Sequence, residues 1–119
     1  MNMSATPAVD WKLCLELANN RAELAKELID MFAQDIPNAR EAITKAFEQE
    51  DMEMLNHQAH RFHGACCYCG VPTLKQIAHD LEAAAEKKDS ESVALLIHQM
   101  TQEMERVEVA VKTQSYMTE

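Results

Sequence analysis

The sequence predicts an all-α protein: an antiparallel up-down-up-down four-helix bundle with a short extra N-terminal helix. Three observations carry this expectation. Only two glycines and three prolines occur in 119 residues, with one Trp, two Tyr and three Phe; sandwiches and barrels need many Gly/Pro turns and strands rich in aromatic or β-branched residues. Apolar residues recur at spacings of three and four, the period of a helix face. Caps and breakers divide the chain into helix-length segments. A length of 119 residues suits one domain, assigned to residues 9–115, with a flexible start over 1–8 and a tail over 116–119.

The elements follow in order. Asp10 can cap a short helix that runs through Ala18, and Asn19-Asn20 then opens a second, with Leu24, Leu28, Met31 and Phe32 at helical spacing to about Asp35. Pro37 is tolerated only in a first turn or at a kink. It therefore starts a new helix or bends a continuing one, whose stripe is Ala39, Ala42, Ile43, Ala46 and Phe47. Counting residues 21–49 as one kinked unit leaves four long helices. Asp51 caps the next, whose seam is Met52, Leu55, Ala59, Phe62, Cys66 and Cys69, and Gly70 is expected to end it. Pro72 begins a helix with seam Leu74, Ile77, Leu81 and Ala84. Asp89 or Ser90 caps the last, carrying Val93, Leu96, Met100, Met104, Val107 and Val111. Short connections make consecutive helices antiparallel neighbours.

Composition removes several function classes. Eleven Lys+Arg against 20 Asp+Glu give a net charge of -9, which repels polyphosphate and anionic membrane surfaces. A protein partner or a small ligand is left. No run reaches the roughly 20 apolar residues of a spanning helix, and residues 1–9 lack a basic then apolar leader pattern, so the expected location is the cytoplasm. Cys66, Cys67 and Cys69 are clustered and Cys14 is remote, unlike the spaced framework of a secreted disulfide protein. Reduced thiols are expected.

One helix carries a candidate site. At 100° per residue, the seam of the Asp51–Cys69 segment centres about 140° from His60, so His60 should project into solvent. Gly64 lies at about 40° from it and Cys67 at about -20°, while His57 and His63 flank it at about 60° on either side. A glycine inside a helix costs about 0.5–1 kcal/mol relative to alanine, and this chain places one of its two there. Gly64 clears space around the imidazole, or alternatively admits a close-packed helix. From Leu55 to Ala78 there is no carboxylate, and Arg61, Lys75 and histidines occupy the gap. An acid-free face on an acidic protein is what an incoming phosphoryl group requires.

The hairpin about residue 71 sets residue 60 level with Glu82, and Lys75, His79 and Glu82 form one stripe. A carboxylate there can accept a hydrogen bond from His60 Nδ1–H, leaving Nε2 free and nucleophilic; otherwise Glu82 is a solvated surface residue.

The segment Ala59-His60-Arg61-Phe62-His63-Gly64-Ala65, followed by Cys67-Tyr68-Cys69-Gly70, Leu74 and Asp80-Leu81-Glu82, resembles the histidine phosphotransfer (HPt) domains of multistep phosphorelays. The likeness extends to residues 21–40, similar to the HPt helix that kinks at an Asp-x-Pro. With Val9-Asp10-Trp11, Ala18-Asn19 and Gly70-Val71-Pro72, it is most similar to the C-terminal HPt module of tripartite hybrid sensor kinases of the BarA type. The resemblance implies that His60 accepts a phosphoryl group from a receiver-domain aspartyl phosphate and passes it to the aspartate of a response-regulator receiver. It further implies that Mg²⁺ belongs to the receiver, with no cofactor or metal of the chain's own. No Gly-rich ATP loop is present, so ATP-dependent kinase activity is expected only of a parent sensor kinase. Many HPt domains carry lysine three residues after the phosphorylated histidine. Here that residue is His63, which would meet the phosphate as a titratable cation. Asn56, His57, Gly64, Cys67, Tyr68 and Lys75 form the expected docking rim, with Arg61 and His79 beside it.

Other classes remain as alternatives. His57, His60, His63 and the cysteines suggest zinc or copper, but the histidines fan across about 120° and Cys66 and Cys69 face the core. Cys67 as a reactive thiol lacks an activating arrangement. A helical interaction module, inert at His60, is the remaining alternative.

Overall fold

The computed structural model describes residues 6–118 and is built from five α-helices: α1 (Trp11–Leu17), α2 (Ala22–Glu48), α3 (Met52–Cys66), α4 (Pro72–Glu86) and α5 (Ser90–Thr113), with a closing 3-10 turn over Ser115–Thr118. No strand occurs among the described residues. Helices α2 to α5 pack in a ring, each against the next and α5 back against α2, while α1 lies on α2. This is the expected bundle with its extra helix. None of the described helices is long and apolar enough to cross a membrane.

Caps act where a short polar side chain can satisfy the free amides of a first turn. Asp10 accepts from Leu13 N–H at 3.1 Å, Asp51 from Met54 at 3.0 Å and Asp89 from Ser92 at 3.2 Å. Pro72 occupies the first turn of α4, where its missing N–H costs nothing. Helix α2 differs from expectation at its start. Asn19 and Asn20 adopt left-handed φ of 56° and 63° and terminate α1, so the residue preceding α2 is Arg21, with no side-chain cap. Asparagine tolerates this backbone region better than most residues, which suits it to a helix exit. Pro37 lies inside the single helix α2 on an exposed face, where the backbone carbonyl it cannot pair can reach solvent.

The core is one cluster drawn from every helix, including Ile29, Ile36, Ile43, Leu55, Leu74, Leu81, Val93, Met100 and Met104, all at most 1% exposed. On α2 the buried stripe is Ala25, Ile29, Phe32, Ile36, Ile43 and Ala46. The expected stripe of Leu24, Leu28, Met31 and Phe32 shares Phe32 with it; Leu24 is partly buried against the core, while Met31 is 60% exposed. Both stripes have helical period, so periodicity alone does not choose between them; the flanking helices do.

Gly70 has a different role from the helix terminator expected. Helix α3 ends at Cys66, and residues 67–71 form the turn into α4. A Cβ at Gly70 would collide with the Asp10 carbonyl oxygen and lie 2.8 Å from both the backbone nitrogen and Sγ of Cys14. Asp10 N–H donates to Gly70 O at 2.8 Å, so the turn and the entry to α1 are in backbone contact.

The bundle also takes in more of both ends than the 9–115 boundary. Residues 1–5 of the expected flexible start lie outside the described residues. Ala8 is buried, and Arg106 donates to the Thr6 carbonyl at 2.8 Å. At the other end Tyr116 is buried with its ring 5.5 Å from that of Trp11, so the expected tail begins inside the fold; Glu119 lies outside the described residues.

Candidate functional site

Helices α3 and α4 form a hairpin, and its register brings residue 60 opposite residue 82. His60 Nδ1 stands 2.7 Å from Glu82 Oε2, with the histidine side chain 69% exposed and the glutamate 24%. An ionised carboxylate only accepts, so Nδ1 carries the proton and Nε2 presents its lone pair outward. Asn56 Nδ2 donates to the Glu82 backbone carbonyl at 2.9 Å, tying the two helices one turn before His60. This second clamp was missed in sequence, where Asn56 was only a rim residue, because its partner is a backbone group.

Glu82 faces a second imidazole. His63 Nδ1 is 3.9 Å from Glu82 Oε1, and the His63 ring lies 5.4 Å from that of His79 at an interplanar angle of 50°. The expected stripe therefore reaches the site through Glu82 and His79, with Lys75 exposed one turn before His79 on α4. Cys67 donates from Sγ to the His63 carbonyl at 3.4 Å.

Gly64 is open. A Cβ built there would meet nothing within 4 Å, which excludes close packing within the fold and leaves clearance on the outer face as the consequence of the missing side chain. His57 is exposed one turn before His60. Arg61 is the exception among the expected binding residues. It lies toward α2, in a groove with Asp35, Asn38 and Gln58, because one residue along a helix is a turn of about 100°. It does not join the cluster around Glu82.

Beside the site an apolar surface opens between α2 and α3. Tyr68 is 69% and Met31 60% exposed, and with Leu28, Phe32 and Ala65 they line a shallow groove. Tyr68 was expected at the rim; Met31 and Leu28 were not. The signal available was an apolar stripe on α2 too wide for one buried face.

The alternatives fare differently. Among the described residues no three His, Cys, Asp or Glu side chains are arranged to hold a metal ion. Cys66 and Cys69 are buried core residues, and burial pushes both thiols up, Cys69 to about 12. They are inert as nucleophiles near neutral pH.

A family model described as the Hpt domain matches residues 27–110. The chain is 32% identical over 82 residues to the signal transduction histidine-protein kinase BarA of Shigella flexneri, and 35% identical over 82 residues to the sensor histidine kinase GacS of Pseudomonas protegens. Each match covers 69% of this chain but 9% of the relative, so the chain spans a small part of those kinases. Among solved structures, the HPT domain of a sensor hybrid histidine kinase from Shewanella superposes with a TM-score of 0.81 at 34% identity, covering 89% of this chain and 92% of that one. Histidine-containing phosphotransfer protein B from Pseudomonas aeruginosa PAO1 gives 0.81 at 25% identity, covering 92% and 95%.

Proposed function

The chain belongs to the Hpt domain family of two-component phosphorelays, and from that premise we propose that His60 is its phosphoacceptor, served by receiver domains on both sides of the transfer. The observation that carries the assignment is the 2.7 Å contact between Glu82 and an imidazole that is 69% exposed at its side chain. It combines a fixed tautomer with open access to Nε2.

The step is a displacement at phosphorus. The Nε2 lone pair attacks the phosphoryl group of a receiver aspartyl phosphate; the N–P bond forms as the P–O bond to the aspartate breaks, and the carboxylate leaves with the bonding pair. Nδ1 keeps its proton, so the ring becomes cationic and Glu82 faces that charge. Onward transfer is the reverse step toward another aspartate. Such transfer needs positioning and charge neutralisation more than covalent machinery. Mg²⁺ and the reacting aspartate come from the receiver; Gly64 admits it, and His63 supplies charge near the phosphate. The rim of Asn56, His57, Cys67, Tyr68 and Lys75 surrounds the approach, extended on the α2 side by Met31 and Leu28. The donor is the receiver of a hybrid sensor kinase and the acceptor that of a response regulator, and transfer takes place in the cytoplasm.

The test is incubation of the chain with a phosphorylated receiver. Base-stable, acid-labile phosphate should appear on the wild type and be abolished in His60→Gln. Phosphate retained by that variant would remove the assignment, and a wild type that takes none would favour an inert interaction module.

A further inference from the structure

We propose that Asn56, besides bordering the approach to the site, is a positioning residue for the transfer at His60: it holds the α4 backbone at the height where the Glu82 carboxylate meets the imidazole. This role presupposes that His60 is the phosphoacceptor.

Two side chains of one helix converge on a single residue of its neighbour. Asn56 and His60 stand one turn apart on the same face of α3. His60 Nδ1 meets the Glu82 carboxylate at 2.7 Å, and Asn56 Nδ2 donates to the Glu82 backbone carbonyl at 2.9 Å. A carbonyl only accepts, so the amide nitrogen is the atom that must face it; its two lone pairs let it take this bond besides one within the helix. The contacts close a ring. It runs from α3 through Asn56 to the main chain of Glu82, out along the Glu82 side chain to the imidazole, and back to α3 one turn on.

The two arms of the ring differ in shelter. Asn56 is half-buried, in a cleft with Ala85 and Glu86 near the end of α4, while the His60 side chain is 69% exposed. Asn56 is also absent from the lining of the apolar groove that holds Met31 and Tyr68. Its amide nitrogen is turned to the hairpin rather than to that surface.

A directional tie matters at this place. Buried Leu55, Ala59, Leu81 and Ala85 bring α3 and α4 together, but apolar burial is non-directional, whereas a hydrogen bond depends on distance and angle. The Glu82 side chain has several rotatable bonds, and water competes for its carboxylate. With its backbone fixed against Asn56, only those side-chain rotations are left to bring the carboxylate to Nδ1. The contact must also persist while the ring becomes cationic, and a group already in place needs no reorganisation at that moment. Misplacement by about 1 Å can cost about 100-fold in rate.

A docking residue and a positioning residue respond differently to the donor. Phosphoramidate is too small to use a docking rim, so it reads only the state of the His60–Glu82 pair. In the full chain, Asn56→Ala should slow His60 phosphorylation by phosphoramidate by about two- to tenfold, the worth of one neutral hydrogen bond, and should slow transfer from a saturating phosphorylated receiver by a similar factor. Alanine is the stronger helix former, which favours retention of the fold; Asn56→Leu, which keeps the bulk without the donor, should lose the same factor. In a Glu82→Ala background neither substitution should slow phosphorylation further. The His60 Nδ1–H resonance should exchange faster with water in both single variants. A wild-type phosphoramidate rate in both, or an undiminished loss in the Glu82→Ala background, overturns the positioning role alone. If wild-type His60 takes no phosphate from either donor, the functional reading beneath it fails as well.

Discussion

In the proposed transfer, His60 and Glu82 divide the work of one reaction between an exposed atom and a half-hidden one. The 2.7 Å contact orients the ring and opposes the charge that transfer creates on it. Glu82→Gln can still accept from Nδ1–H but loses the ionic part of the bond, a difference of about 1 kcal/mol between charged and neutral hydrogen bonds. Transfer should slow by about five- to tenfold, and by more in Glu82→Ala; equal rates for wild type and both variants in rapid-quench assays would deny Glu82 a role. Gly64 offers a sharper separation of activity from stability. Because a Cβ there meets nothing within 4 Å, Gly64→Gln should raise the melting temperature slightly through helix propensity while blocking transfer. A variant that transfers at the normal rate would place the docking face elsewhere.

At the scale of elements, the α3–α4 hairpin sets the site and the α1 contact supports its turn. Gly70 is the point where the two meet. Gly70→Ala places a methyl against the Asp10 carbonyl and the Cys14 backbone and thiol, and overpacking of that kind costs about 1–3 kcal/mol. Thermal unfolding should shift down by several degrees; an unchanged midpoint would mean that α1 can move away freely. The caps at Asp10, Asp51 and Asp89 were legible because capping is a local exchange between a side chain and amides two or three residues on. The roles of Asn19, Asn20 and Gly70 were not. The first two depend on where α1 stops, and Gly70 depends on a helix that passes over it from more than fifty residues earlier in the chain.

For the molecule as a whole, the buried thiols should make stability decline at alkaline pH. Burial raises Cys66 and Cys69 above the ordinary value of 9.0, Cys69 to about 12. Above pH 9 the unfolded chain releases these protons while the folded chain keeps them, so the folded state binds more protons and stability falls as pH rises. The loss should develop between about pH 9 and 12 in melting curves. Cys69→Ala should weaken the slope, and an unaltered slope would assign the alkaline loss to other groups. The same burial separates the clustered cysteines from the neighbouring histidines: Cys66 and Cys69 are buried in the core and His60 is exposed.

The sequence by itself determined the helical class, the number and order of the helices, three of the caps and the outward direction of His60. All of these follow from local periodicity and from side chains within one turn of one another. The pairing of His60 with Glu82 was also legible, because a short turn fixes the register of the two helices it joins. Tertiary structure decided the rest: which of two adjacent stripes on α2 is buried, that Arg61 leaves the cluster for the α2 groove, that the His63 and His79 rings meet, and that Ala8 and Tyr116 belong to the core. Those outcomes depend on the rotation of each helix about its own axis. That rotation is set by packing against several neighbours at once, and a periodic pattern leaves it undetermined by about the 100° that separates one residue from the next.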